Sequence, residues 1–342
     1  MPSERDSPPG DAGPRIAVVT GSSGFLGAWV CRTLGDAGIQ VRGVGRREPG
    51  ALPQGMSYHR VDLLDGAALR PALVGADTVV HLAARVHVMR ESAADPLGEF
   101  RRVNVEGTRV LLEEAVRAGV TWVVFASTVK AVGEANATPW TEAEVPRPRD
   151  PYGVSKLEAE ELIRTMAERH SMQATILRLP LVYGPGMKGN MLSLFRLVDH
   201  GIPLPLGLVR NRRSLAFAGN VSAGMLAVLR SPAPRPRTFF LSDGRDVSTP
   251  ELLRLIGRAL ERRVMLVPVP SPVFRAAGRV GDLVSRVRPL PLTSAAVDRL
   301  LGSLTVDPSA LARVVGFRPP YSLEEGLRIT AEWYRRRQDA RA

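Results

Sequence analysis

Two hydrophobic rhythms alternate along the first half of this chain. "RIAVVT" (15–20) is a continuous apolar run of strand length, and residues 25–37 then carry apolar positions at helical spacing up to a stop near Gly38. "IQVRGVG" reads as a second strand. Further strands are expected over 58–61, 78–82, 122–127 and 174–178, with helices over 100–118 and 155–169 between them. Strands that recur after helices form parallel pairs with helices on both faces, so the expected fold class is α/β with a doubly wound parallel sheet. Beyond about residue 185 proline becomes frequent ("GIPLPLG", "SPAPRPR", "VPVPSP") and the alternation breaks down, which marks a smaller, less regular C-terminal lobe. The expected division is a disordered tail over 1–14, a sheet domain over 15–185 rejoined by about 210–242, and a second lobe from 186–209 and 243–342.

Composition narrows the possibilities. With 342 residues, 44% of them hydrophobic, the chain can bury one large core or two modest ones. No apolar run approaches the ~20 residues that cross a bilayer, and "MPSERDSPPGDAGP" lacks the apolar stretch of a signal peptide. The single cysteine, Cys31, excludes an intrachain disulfide and reads as a small core residue in a cytoplasmic protein. Basic residues outnumber acidic ones, 46 to 34, a balance that favours an anionic substrate. The arginines are scattered, zinc-finger spacing is absent, and Arg335-Arg336-Arg337 reads as a solvated face, so neither a nucleic-acid partner nor a metal is expected.

Chemistry enters with "IAVVTGSSGFLG". Gly21, Gly24 and Gly27 follow a buried strand and open a helix, where missing Cβ atoms let backbone approach a pyrophosphate and let the helix pack on the strand. Asp62, in "VDLLD" at the end of the third strand, can accept from an adenine amino group, and "HLAA" (81–84) ends the fourth, with His81 read as a packed, satisfied histidine. An acidic side chain about 20 residues after the glycines would bind the ribose 2′-hydroxyl of NAD. Gly45 stands there instead, followed by Arg46, so NADP is expected to bind at least as well as NAD. In Tyr152-Gly-Val-Ser-Lys156 the i and i+4 side chains share a helix face, so an ammonium is expected beside a phenol, lowering its pKa. Thr128 lies 24 residues earlier, at the C-terminal end of a strand where ligands of doubly wound sheets collect.

The segments TGSSGFLG, VDLLD, HLAA, VNVEGT, FASTVKAVG, YGVSK and RLPLVYGPG, in this order over about 15–190, resemble the extended short-chain dehydrogenase/reductases that act on nucleotide sugars. The resemblance implies a Rossmann domain for the dinucleotide and a C-terminal lobe for a nucleoside-diphosphate sugar. It implies Tyr152 as acid/base, Lys156 on the nicotinamide ribose, and Thr128 on the reacting sugar oxygen, with Ser127 as the fallback hydroxyl. Ser23, Phe25 and Leu26 join the glycines around the cofactor, as do Leu63, Leu82, Ala83 and Ala84. Asn190 and Arg213 match positions that bind the diphosphate. Lys130 and Lys188, two of only three lysines, fall on segments expected around the sugar. Val132 and Leu181 depart from the family's usual tyrosine and asparagine. The implied partners are a UDP-sugar, NADP or NAD, and a second copy of the chain in a homodimer. "GPGMKGN", "GIPLPLG" and "NRRSL" look closest to bacterial surface-polysaccharide enzymes working at C4 of a UDP-sugar, either 4-epimerases or reductases of UDP-4-keto-6-deoxy-N-acetylhexosamine. Arg46 tilts the expectation toward the ketoreductase. A non-catalytic dinucleotide-binding regulator is the alternative of another class, and the complete Thr128, Tyr152, Lys156 set argues against it.

Overall fold

A computed structural model describes residues 14–48, 55–86, 95–232, 237–285 and 293–339. All but the last residue of the expected 1–14 tail lies outside the described residues. The chain runs β1 (Ile16–Thr20), α1 (Phe25–Asp36), β2 (Gln40–Gly45), β3 (Ser57–Arg60), α2 (Gly66–Leu73), β4 (Thr78–His81), α3 (Pro96–Arg101), α4 (Gly107–Arg117), β5 (Trp122–Thr128), α5 (Pro151–Arg169) and β6 (Gln173–Leu179). The second half adds β7 (Leu181–Tyr183), α6 (Asn190–Asp199), β8 (Arg213–Phe217), α7 (Ala218–Arg230), β9 (Arg237–Phe240) and β10 (Asp246–Val247). It ends in α8 (Thr249–Leu260), α9 (Ser271–Ser285), α10 (Ser294–Leu301), α11 (Ser309–Val315) and α12 (Leu323–Asp339).

Seven strands form one parallel sheet in the order β3-β2-β1-β4-β5-β6-β9, and β10-β8-β7 form a second. This is the expected doubly wound α/β fold. Side chains alternate across the sheet, and both faces are covered. Ala17, Val19, Val80, Val124 and Leu177 pack against Val30 and Leu34 of α1 and Val221 and Met225 of α7. Val18, Val79, Val123 and Ile176 pack on the opposite face against α2, α4 and α5 through Leu69, Leu111 and Ile163. Two-sided burial is why the central strands read as unbroken apolar runs rather than alternating ones. Cys31 is a core residue, and burial pushes its thiol up to about 12.

Two helices depart from their expected spans. The helix expected over 155–169 begins at Pro151, because Asp150 accepts from the Gly153 N–H (2.8 Å) and proline suits the first helical position. The helix expected over 100–118 is interrupted by a π-turn at Arg102–Glu106. That turn aims Asn104 inward, where its side chain accepts from Arg85 N (2.8 Å) and donates to Arg85 O (3.0 Å) and Ser155 Oγ (2.9 Å).

Beneath the strand ends, Glu160 is buried and accepts from Ser127 Oγ (2.5 Å), from two nitrogens of Arg178 (3.1 and 2.8 Å) and from Arg164 (2.8 Å). Without Arg178, the buried Glu160 carboxylate keeps only the half-exposed Arg164 as a charged partner. Arg178→Met is therefore expected to cost about 3 to 5 kcal/mol in urea unfolding; a loss below about 1 kcal/mol would show that the pair is not holding β6 to α5.

Candidate active site

The glycine turn is built as its spacing requires. Gly21 has φ +70°, and a Cβ there would stand 2.8 Å from Ala83 N. At Gly27 a Cβ would lie 2.2 Å from Gly21 O, so the helix can approach the turn only with glycine. Gly24 caps α1 through its backbone alone: no side chain accepts from the first-turn N–H groups, and that turn contains no acid. The free N–H groups and the helix dipole fit the pyrophosphate of a dinucleotide. Phe25 packs toward Gly186, and Trp29 donates to Pro185 O (3.1 Å), so the turn is tied to the loop that leads into α6. Gly27→Ala should abolish dinucleotide binding and lower stability together. Retained cofactor binding in a titration would contradict this packing.

The ends of neighbouring strands surround that turn. Ser23 Oγ lies near Gly45 at the end of β2, and Arg46 beyond it is exposed, with no ion pair or hydrogen bond to its guanidinium among the described residues. Asp62 is exposed and accepts from Leu64 N (3.1 Å), whereas Leu63 is buried against Gly107. Leu82 N donates to Thr20 O (3.2 Å) and Ala83 N to Thr20 Oγ1 (3.3 Å), which holds the segment Leu82, Ala83, Ala84 against β1. His81 is fully satisfied. The Thr108 hydroxyl donates to Asn104 O (2.6 Å) and so accepts from Nε2 (2.9 Å), which leaves Nδ1 to accept from Thr20 Oγ1 (2.6 Å). Burial, with the Lys156 charge nearby, pushes this imidazole down to about 3.

Thr128, Tyr152 and Lys156 converge where β5 ends and α5 begins. Gly153 permits the approach, since a Cβ there would lie 2.3 Å from Lys130 O. Thr128 lies beside the Tyr152 phenol and draws its pKa down, and the Tyr152 ring lies 5.9 Å from that of Phe100. One expectation is corrected. Burial and the Asp150 carboxylate push the phenol up to about 12, opposed only by Thr128; Lys156 does not lower it. The shared helix face is real, but the lysine stem runs under β5, where Nζ donates to Ala126 O (2.8 Å) and lies 3.8 Å from the Phe125 ring centroid. Burial pushes this ammonium down to about 7. Ser127, the fallback hydroxyl, donates to Glu160 and is spent on the core.

The substrate-side candidates are placed less uniformly. Lys130 pairs with Asp150, the cap of α5, rather than standing as a lone donor. Lys188 and Asn190 are exposed at the start of α6, a few residues from the loop that touches Phe25. The Arg213 guanidinium donates to Arg299 O and Gly302 O (3.3 Å), capturing the carbonyl end of α10. Burial lowers its pKa. Val132 packs in a core with Trp140 and Phe240, and Leu181 is exposed. Asn104 and Asp150 were not singled out by sequence; an Asp-Pro pair is a readable helix start, whereas the π-turn at Asn104 has no local signature.

A doubly wound sheet with an open phosphate turn and a tyrosine, lysine and threonine at the adjacent strand end defines a nicotinamide-dependent enzyme of the short-chain dehydrogenase/reductase type. The family model for the NAD dependent epimerase/dehydratase family matches residues 17–241, and the chain belongs to that family. A Vibrio cholerae protein named UDP-glucose 4-epimerase is 34% identical over 93% of this chain and 95% of its own. From Escherichia coli O157:H7, N-acetyl-alpha-D-glucosaminyl-diphospho-ditrans,octacis-undecaprenol 4-epimerase is 26% identical over 92% of this chain and 94% of its own. Among solved structures, the Thermus thermophilus UDP-glucose 4-epimerase in complex with NAD superposes with a TM-score of 0.74, at 26% identity, covering 94% of this chain and 99% of that one.

Proposed function

We infer that the protein is an NAD(P)-dependent oxidoreductase acting at C4 of a UDP-sugar. The observation that carries this reading is the meeting of Thr128 and Tyr152 at the end of β5, beside the buried Lys156 and at the same edge of the parallel sheet as the glycine turn after β1. When bound, the dinucleotide supplies the hydride acceptor or donor. The α1 N–H groups would hold its phosphates, and Leu82, Ala83, Ala84 and Asp62 would line the rest of its site. Lys156 would hold the ribose of the nicotinamide half. Thr128 orients the 4-oxygen of the sugar, and Tyr152 gives that oxygen a proton or takes one from it. A phenol held near 12 is protonated at neutral pH and is ready to protonate a 4-carbonyl oxygen. The lobe from 186–209 and 243–342 holds the nucleotide, with Lys188 and Asn190 on its near edge. Arg213 spends Nη2 on the α10 carbonyls, which leaves Nε and Nη1 to meet a diphosphate.

Arg46 favours the 4-ketoreductase, because its guanidinium, unpaired among the described residues, can donate to a 2′-phosphate, and Gly45 stands where a carboxylate would repel one. The Vibrio cholerae relative, by its name, favours the second reading, a UDP-glucose or UDP-N-acetylglucosamine 4-epimerase. Incubation with a panel of UDP-sugars and UDP-4-keto sugars, with and without NAD(H) and NADP(H), separates the two. The reductase consumes reduced cofactor stoichiometrically; the epimerase interconverts sugars with no net consumption. Arg46→Ala should weaken NADPH binding about tenfold, one charge-assisted bidentate contact, and leave NADH unchanged. An NADH preference untouched by the substitution would leave the epimerase as the reading. The homodimer is carried as part of the same proposal, through α4 and α5, and light scattering at twice 37.0 kDa would support it.

A further inference from the structure

Helix α9 has two apolar faces, and among the described residues only one of them is covered. Phe274, Gly278 and Gly281 are buried on one side. Phe274 packs with Val209 and Val297, and a Cβ at Gly278 would come within 3.1 Å of Ser294 Cα and Val297 Cγ2, so α10 lies directly against this side. At about 100° per residue, Val273, Val280, Leu283 and Val284 fall together on a second side, roughly 130° round the helix. They are 54%, 61%, 62% and 41% exposed. Arg275 and Arg279, one turn apart, run along the edge of this outer stripe. Both are exposed, with no ion pair or hydrogen bond to either guanidinium among the described residues. The nearby acid is engaged: Asp282 accepts from Ser294 N (3.0 Å). Met265 and Val267, in the segment entering the helix, are exposed as well, and follow the exposed Arg263. Residues 254–284 hold six arginines and two acids.

An uncovered apolar stripe edged by arginines is the surface chemistry of a helix that lies in a membrane interface. A second copy of the chain would bring like-charged arginine rows together in a protein of net charge +12. An anionic bilayer reverses the sign of that interaction and offers an acyl boundary to the valines and leucine. We propose that α9 docks the protein on an anionic lipid bilayer, with Val273, Val280, Leu283 and Val284 entering the interface and Arg275 and Arg279 meeting lipid phosphates. The helix lies on the membrane and does not cross it: it has 15 residues, against the ~20 needed to span, and no described helix is long and apolar enough to cross.

The test is flotation of the full-length protein with vesicles of phosphatidylcholine alone or with a third phosphatidylglycerol. Wild type should float with the anionic vesicles, and high salt or Arg275→Gln with Arg279→Gln should release it. Val280→Asp with Leu283→Asp should reduce bound protein at least about tenfold, by placing charge in the interface. These positions are exposed, so the fold tolerates the change, and unchanged thermal melting and nucleotide-sugar turnover confirm it. Turnover is read separately, so failure of the docking proposal is distinct from failure of the C4 reading. Absence of wild-type flotation, or equal flotation of the aspartate variant, overturns the proposal. So does a drop in solution mass in that variant, which would assign the stripe to a second copy.

Discussion

Tyr152→Phe is expected to lower kcat by about 100-fold to 10,000-fold, the range over which a positioned proton donor contributes, while KM and cofactor affinity stay near wild type. Phenylalanine keeps the ring that lies against Phe100 and the first turn of α5, and removes only the hydroxyl that meets Thr128. Since Thr128 is the one group that opposes the upward push on this phenol, Thr128→Val should lose rate too and move the basic limb of the pH profile upward. A Tyr152→Phe effect below about tenfold would assign proton transfer to another group.

Lys156→Met should lose both rate and cofactor affinity, because one side chain serves the ribose and the floor of the site. It also carries a stability signature that needs no substrate. The folded protein holds this ammonium at about 7, below its ordinary 10.5, because burial outweighs the favourable charge of Glu160. Between those two values the unfolded chain binds the extra proton and the folded chain does not, so stability rises with pH across that window and is flat on either side. One proton corresponds to about 1.4 kcal/mol per pH unit. Urea unfolding of the cofactor-free protein from pH 7 to 10 should show this rise in wild type and lack it in Lys156→Met. The same slope in both would show that the lysine is hydrated in the folded state.

The features legible in sequence are those fixed by local geometry. Gly21 and Gly27 announce themselves because a Cβ there would meet backbone at 2.8 and 2.2 Å, and the strand runs because burial on both faces removes alternation. Spacing also placed Tyr152 and Lys156 on one face of α5. It could not say where a long flexible stem goes, and Lys156 reaches a carbonyl on β5, 30 residues away. Arg213 is similar: its partners on α10 lie 86 and 89 residues along the chain. Lys130 was read as a pocket donor from its place after Thr128, but the cap it pairs with, Asp150, comes from the far side of a long loop. The π-turn depends on Asn104 bonding both Arg85 and Ser155, contacts that exist only after the sheet has formed. Backbone constraints are written locally, and side-chain partnerships are written by topology.

The reading rests most directly on where the sugar changes. Wild-type protein and Tyr152→Phe would be incubated with UDP-hexoses and a UDP-4-keto-6-deoxy-N-acetylhexosamine, using reduced cofactor deuterated at the transferring position, and the products read by NMR. The expected result is conversion confined to C4, as deuterium delivered to C4 by a reductase or inverted configuration at C4 by an epimerase, with both lost in Tyr152→Phe. Conversion at another carbon, or undiminished conversion by Tyr152→Phe, would contradict the assignment.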